Sequence, residues 1–310
     1  MTTAFCLGID VSKHHLDAGT ARRSWKRLAN DEQGRRSLID QIRTAVPTLV
    51  VVESTGGYER PIVEALHRAS IPVAVVQPSC VRYFARSIKV LAKTDAIDAR
   101  ILARFGEATE PRPTQPTDPA IVALRAKRDR RDQIIEDRVR EENRLEACVD
   151  PTIRRQLQAS IRRLKLAEAK LDAAISAAIK ENEDLAARNQ VLQSEIGVAQ
   201  QTATTLLCYL PELGTLNRQK VSALAGLAPY DRSSGQYQGK RTIYGGRARL
   251  RTALYMAALT AARSKGELGI FYRKLRTRGK IAKVALIAVA RKLLVRLNSL
   301  MAAHLAAKHA

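Results

Sequence analysis

A chain of 310 residues holds two ordinary domains, or one domain and a long helical insert, and 45% apolar residues suffice to bury a core. No apolar run reaches the ~18 residues needed to cross a bilayer, and the opening MTTAFCLGIDVSKHH lacks the basic-then-apolar layout of a secretory signal. Cys6, Cys80, Cys148 and Cys208 are scattered, with no Cys-x-x-Cys pair and no partnering histidines, which argues against a disulfide framework or a zinc site and for reduced thiols in a soluble, cytoplasmic protein.

In chain order, Phe5 to Ile9 is a short apolar run that ends in Asp10. Leu16 to Thr20 and Trp25 to Leu28 read as two following strands. Asp31 to Val46 reads as a helix, with Leu38, Ile42 and Val46 on one face. Thr48 to Val52 is a β-branched run expected to be a buried strand, and it ends in Glu53. Glu59 to Ala69 reads as a helix, Pro72 to Val76 as a buried strand, and Ser79 to Ile88 and Thr94 to Phe105 as two more helices. Alternating strands and helices with short turns indicate an α/β domain with a mixed sheet. The four prolines between Glu110 and Pro119 mark a linker.

About seventy helix-forming, highly charged residues follow, split by Pro151. Ile153, Leu157, Ile161, Leu164, Leu171, Ile175 and Ile179 recur at helical steps, as a helical hairpin or coiled coil requires. Its expected use is to set distance or to hold two subunits together. Beyond about Gln190 helices are expected at Thr202 to Tyr209, Gln219 to Ala225, Arg249 to Arg263 and Ile281 to Leu300. The polar stretch Ala228 to Gly246 lies between them, with a hairpin expected around Gly239-Lys-Arg241. The division is residues 1–116, 117–188 and 189–310.

Charge is the first functional signal. Lys and Arg number 53 against 30 Asp and Glu, a net of +23. From Thr215 to Ala310 only Asp231 and Glu267 oppose 20 basic residues. Such a field attracts a polyphosphate backbone. An acidic membrane surface is the competing partner, but no single amphipathic helix carries the charge.

Four carboxylates stand out. Asp10 and Glu53 sit at the ends of expected buried strands, and Asp95 and Asp98 are one helical turn apart. Converging carboxylates repel one another unless divalent cations neutralise them, and hard oxygen ligands suit Mg²⁺, with Mn²⁺ able to substitute. Two such ions ~3.5–4 Å apart clamp both oxygens of a phosphodiester exchange. Each acid also has an ordinary use: Asp10 closing a turn, Asp95 and Asp98 capping a helix, Glu53 pairing with Arg60. The second feature is the basic loop Gly226 to Gly235 with its serine pair. It reads either as an exposed nucleophile or as a Ser-Gly turn that binds phosphate. Arg232, Lys240, Arg241, Arg247, Arg249 and Arg251 around it are the expected nucleic-acid contacts.

These residues carry a resemblance. GIDVSK (Gly8 to Lys13), ESTGGYERP (Glu53 to Pro61), KTDAIDARILA (Lys93 to Ala103), AGLAPYDRSSG (Ala225 to Gly235) and LRTALYMAAL (Leu250 to Leu259) resemble, in order, the motifs of the DEDD-type insertion-sequence transposases, the insertion-sequence one-ten family of bridge-RNA-guided recombinases. The resemblance implies a ribonuclease-H-like, Holliday-junction-resolvase-like N-terminal domain with Asp10, Glu53, Asp95 and Asp98 as metal ligands, a helical coiled-coil insert, and a mainly α C-terminal domain. Ser234, directly before Gly235, is implied as the nucleophile of a phosphoserine intermediate. It further implies donor and target double-stranded DNA and a noncoding bridge RNA as partners, and composite sites in a homo-oligomer, dimer or tetramer. Where the family often has Pro-Gly-Ile-Gly, this chain has Ile196-Gly-Val-Ala199. The rival readings are a metal-dependent, structure-selective endonuclease of the junction-resolvase kind, a DNA invertase, and a non-catalytic nucleic-acid scaffold.

Overall fold

The computed structural model describes residues 5–90, 95–231, 233–234, 237–239 and 241–309; at 95, 96, 233, 234, 237, 238 and 309 the description is of the backbone. Two compact units divide the chain, the first ending at Pro116 and the second beginning at Thr117.

The first unit runs β1 (Cys6–Val11), β2 (His15–Gly19), β3 (Leu28–Ala29), α1 (Glu32–Ala45), β4 (Leu49–Glu53), α2 (Arg60–Arg68), β5 (Val73–Val76), α3 (Pro78–Ser87) and α4 (Asp95–Thr109). The sheet order is β3-β2-β1-β4-β5, and only β2 runs against the other strands. That order with one reversed strand is the ribonuclease-H-like arrangement. Alternation along the strands sends Leu7, Ile9, Val50 and Val52 to one face, where they meet Leu38 and Ile42 of α1 and Ile62 and Leu66 of α2. Cys6, Val51 and Ala74 point the other way, onto Val81 of α3 and Leu102 of α4. The two end residues of the expected helix Asp31 to Val46 are the caps of α1: the Asp31 side chain accepts from the Gly34 amide at 2.7 Å, and Val46 closes the helix in the left-handed conformation. The strand expected at Trp25 to Leu28 is shorter and later, at Leu28–Ala29. Part of the proline-rich linker is used structurally. The Thr114 amide donates to the Val73 carbonyl at 2.7 Å, and the Thr114 hydroxyl accepts from the Val75 amide at 2.9 Å, which covers the free edge of β5.

The second unit is mainly helical. Helices α5 (Pro119–Ala147) and α6 (Pro151–Glu181) form a hairpin, each opened by a proline in its first turn and capped by the preceding aspartate, Asp118 or Asp150. Its seam combines buried Ile134, Ile161, Ile175 and Ile179 with ion pairs: Arg131 meets Asp172 at 2.6 Å and Arg138 meets Glu168 at 3.0 Å. Then come α7 (Glu183–Gln193), α8 (Gln200–Tyr209), α9 (Arg218–Leu224), the two-residue strands β6 (Pro229–Tyr230), β7 (Ser233–Ser234), β8 (Tyr237–Gln238) and β9 (Thr242–Ile243), and α10 (Ala248–Arg263), α11 (Glu267–Thr277) and α12 (Ala282–His309). Leu206, Leu254, Leu293 and Leu297 join α8, α10 and α12 in one core. Among the described residues no helix is long and apolar enough to cross a membrane.

Candidate functional site

The parallel pairing of Ile9 with Val52 fixes the first two carboxylates. Asp10 and Glu53 are the next residues on adjacent strands, so they share the face of the sheet that α4 covers. The direction of α4 then decides where the other two lie. Ala99, Leu102 and Ala103 pack on Gly8, while Gly106 reaches Cys6, and the Glu107 carboxylate accepts from the Cys6 amide at 3.5 Å. The helix therefore runs antiparallel to β1. Its first turn, Asp95 to Asp98, lies toward the Asp10 end of the strand. Asp10, Glu53 and Asp98 are each half-buried.

The donor set is carboxylate oxygen alone, which fits a hard divalent cation, and the helix N-terminus adds partial positive charge beside it. Among the described residues, no group of three or more His, Cys, Asp or Glu is drawn close enough to hold an ion. The side chain of Asp95 lies outside the described residues. Sequence reasoning passed over a fifth acid. Asp17 pairs with Asp10 across β1 and β2, but it is buried and takes the Arg27 guanidinium at 2.9 Å, a structural use.

Sequence reasoning also passed over the residue that shapes the loop after Glu53. The Glu59 carboxylate accepts from the Gly57 amide at 2.8 Å and from the amide and hydroxyl of Thr55, both at 3.1 Å. Burial alone would raise its pKa, yet these bonds hold it below the usual range. Asn30 ties this loop to the one after β1, its amide donating to the Ser12 carbonyl at 2.9 Å and the Tyr58 carbonyl at 3.3 Å. The only sequence signal was the presence of polar residues at those turns.

In the second unit Ser234 pairs with Tyr237 and Ser233 with Gln238, and Pro229 and Tyr230 pair with Ile243 and Thr242. The pairings thus join 229–230 to 242–243 and 233–234 to 237–238. This corrects the hairpin expected around Gly239-Lys-Arg241, since β8 before it pairs with β7 and β9 after it pairs with β6. The side chain of Ser234, and Arg232 and Lys240 altogether, lie outside the described residues. Arg241 meets Asp231 at 2.5 Å, and Arg251 donates to the Gly245 carbonyl at 2.7 Å. Arg247 forks onto Glu212 at 2.6 and 2.8 Å and also donates to the Tyr209 carbonyl. Burial would raise the Glu212 pKa, but Arg247 holds it low. Arg249 engages Asp129 and donates to the Tyr209 hydroxyl at 2.6 Å, its guanidinium 4.9 Å above the Tyr209 ring. Both arginines bind the chain to itself.

Residues 7–153 match the family model of the DEDD transposases of IS110, and residues 189–273 match the model described as "Transposase IS116/IS110/IS902 family". The chain belongs to the IS110 transposase family. The transposase is 28% identical over 299 residues to a pilin gene-inverting protein of Moraxella bovis, covering 93% of this chain and 92% of that one. It is 27% identical, with the same coverage, to the pilin gene-inverting protein of Moraxella lacunata. Among solved structures, T. thermophilus RuvC in complex with a Holliday junction substrate aligns with 35% of the transposase and 99% of its own chain, at 16% identity and a TM-score of 0.29. Family membership makes the chain a DNA recombinase, a strand-transfer enzyme that binds DNA.

Proposed function

We propose that the transposase cuts and exchanges DNA strands through a covalent bond between Ser234 and a DNA phosphate, with Asp10, Glu53, Asp95 and Asp98 holding Mg²⁺, or Mn²⁺ in its place. The observation that carries the metal half is the antiparallel course of α4 over β1, with the Asp95–Asp98 turn toward Asp10 and Glu53. A divalent cation bound there supplies neutralising charge on the phosphate. The Ser234 oxygen bonds to phosphorus as the strand's own P–O bond breaks, and the departing oxygen leaves as a hydroxyl with the serine's proton. One phosphodiester replaces another, so an incoming hydroxyl reverses the step and rejoins strands without an external energy source. Basic side chains around the ribbon stabilise charge on the phosphate oxygens.

On this reading residues 1–116 hold the metal, 117–188 act as a coiled-coil spacer, and 189–310 carry the serine. A noncoding bridge RNA pairs with donor and target DNA, which moves sequence choice from protein to RNA. The protein works as a homo-oligomer in the cytoplasm, where the DNA is. Mass spectrometry of digested protein after reaction with supercoiled DNA tests the chemistry. A nucleotide adduct on Ser234 is expected, kept by Ser233→Ala and lost with Ser234→Ala, Asp98→Ala or chelation. An adduct that survives Asp98→Ala at full yield overturns the metal assignment. Cleavage with no adduct on any serine favours the resolvase-like alternative. Sequencing RNA that co-purifies with the protein tests the guide.

A second reading has its own support. Two relatives matched over 92% of their length are named for inverting pilin genes. On that reading the same chemistry inverts one fixed segment. A plasmid carrying paired sites in opposite orientation separates the two, since inversion without integration elsewhere is expected only of an invertase.

A further inference from the structure

The second unit carries a groove of about 1290 Å³ between the first turns of α12, the end of α11, the start of α9 and the β6–β9 ladder. Its lining is mostly aliphatic, with Ile243, Val284 and Ile287 among the contributors, and basic, with Arg218, Lys283 and Arg291. None of the described lining residues is acidic. Ile281 and Val284 are 66% and 50% exposed there, more apolar surface than an uncovered helix start needs to show. Strand β6 of the ladder that lines the groove ends at Tyr230, and β7, which carries Ser234, begins close by in the chain at Ser233.

We propose that this groove holds a stretch of unpaired DNA on its way to the Ser234 ribbon, which rests on the reading of the chain as a serine-dependent strand-transfer enzyme. A duplex hides its base faces in the stack and shows phosphates and polar groove edges. An unpaired strand shows phosphates on one side and apolar base faces on the other. Aliphatic lining with basic side chains and no acidic residue among the described lining residues matches the second. Strand exchange also requires such a segment, because a strand must leave one partner before it joins another. Gln219 and Thr242 are the neutral polar side chains in the lining. A ribose strand would set its 2′-hydroxyls against aliphatic surface with few partners, which costs free energy that deoxyribose avoids.

The test measures binding of a fluorescein-labelled oligonucleotide as single-stranded DNA, duplex DNA and RNA of the same sequence, with the full chain. Arg218→Glu with Lys283→Glu changes two exposed side chains. It should weaken single-strand binding at least tenfold at ~0.1 M salt and lower the log–log salt slope by roughly 1.4, about 0.7 for each phosphate no longer neutralised. Ile281→Ser with Val284→Ser should weaken single-strand binding without changing that slope, and leave duplex binding little altered. Circular dichroism confirms that each variant is folded. Unchanged single-strand affinity in both variants overturns the proposal. So does an equal loss for duplex and single strand, a larger loss for RNA than for single-stranded DNA in the groove variants, or a serine pair that alters only the oligomeric state, which would assign the groove to a second copy of the chain. Adduct formation by the unsubstituted protein is scored separately. Normal binding by groove variants, with the Ser234 adduct present, refutes the groove alone. Strand binding in the groove with no adduct refutes the catalytic reading alone.

Discussion

Gly8 of β1 lies under Ala99 of α4 with no room for a side chain. A β-carbon at position 8 would run into the Ala99 carbonyl oxygen and stand 2.6 Å from the Ala103 nitrogen and 2.7 Å from the Leu102 β-carbon. Gly8→Ala must therefore lift the helix whose first turn carries Asp95 and Asp98. Overpacking of this kind costs about 1–3 kcal/mol, read as a lower urea midpoint. Strand cleavage should fall further than the stability loss explains, because the shift separates that turn from Asp10 and Glu53. A Gly8→Ala protein with unchanged midpoint and cleavage would contradict this packing.

Glu59 gives a pH signature. Its folded pKa lies below the ordinary value because the Gly57 and Thr55 donors outweigh the effect of burial. A lowered carboxylate pKa means stability that is fully present above the unfolded value, ~4.3, and lost as pH falls through the folded one. Glu59→Ala should cost about 1.5 kcal/mol at neutral pH, the low end for hydrogen bonds to a charged group, because the loop is half-exposed. Urea titrations at successively lower pH should show the gap to the unsubstituted protein closing below that range. A gap that stays constant into acid would mean the carboxylate charge is not what holds the loop.

The ends of the strands were legible in the sequence because β-branched runs such as Thr48 to Val52 stop abruptly at an acid. Residues that act on a distant partner were not. Arg247 and Arg249 read as nucleic-acid contacts, yet their partners Glu212 and Asp129 lie 35 and 120 residues away, and no local pattern announces a pairing over that distance. The serine ribbon was misplaced because ladders of two residues are too short to show alternation. Helix α11 was missed since its Gly269 and flanking glycines read as loop, although Gly269 packs tightly on Ser264. Asp98 and Asp95 were legible as a pair one turn apart. That the turn faces Asp10 came only from the tertiary direction of α4.

The pairing of Arg249 with Asp129 separates a structural arginine from a phosphate-binding one. Tyr209, at the end of α8, donates to Asp129 of the hairpin at 2.6 Å, and Arg249 of α10 reaches both. Arg249→Ala and Asp129→Ala should each lower the melting temperature. Their double-mutant cycle should show coupling of about 0.5–3 kcal/mol. The salt dependence of DNA binding should hold its slope, whereas removing a side chain that neutralises a duplex phosphate lowers it by ~0.9. A reduced slope with no coupling to Asp129 would return Arg249 to the nucleic-acid surface.

Asp10 and Glu53 belong to the first compact unit and Ser234 to the second, and the boundary falls inside the segment with four prolines, between Pro116 and Thr117. The hairpin helices that follow the prolines have 29 and 31 residues, so each spans roughly 45 Å at 1.5 Å per residue. A spacer of that length can serve a neighbouring chain as readily as its own, and the family resemblance implies the neighbour. The test mixes Asp10→Ala protein with Ser234→Ala protein, each expected to be inactive alone. If sites are shared between chains, the serine of the first variant meets the intact carboxylates of the second, and single-strand cleavage returns in the mixture. Full recombination should stay impaired, because the reciprocal site lacks both groups. Co-assembly is verified by affinity capture of one tagged variant with the other. Mixed oligomers that form yet never nick DNA would mean that each chain builds its own site, and the shared arrangement would be wrong.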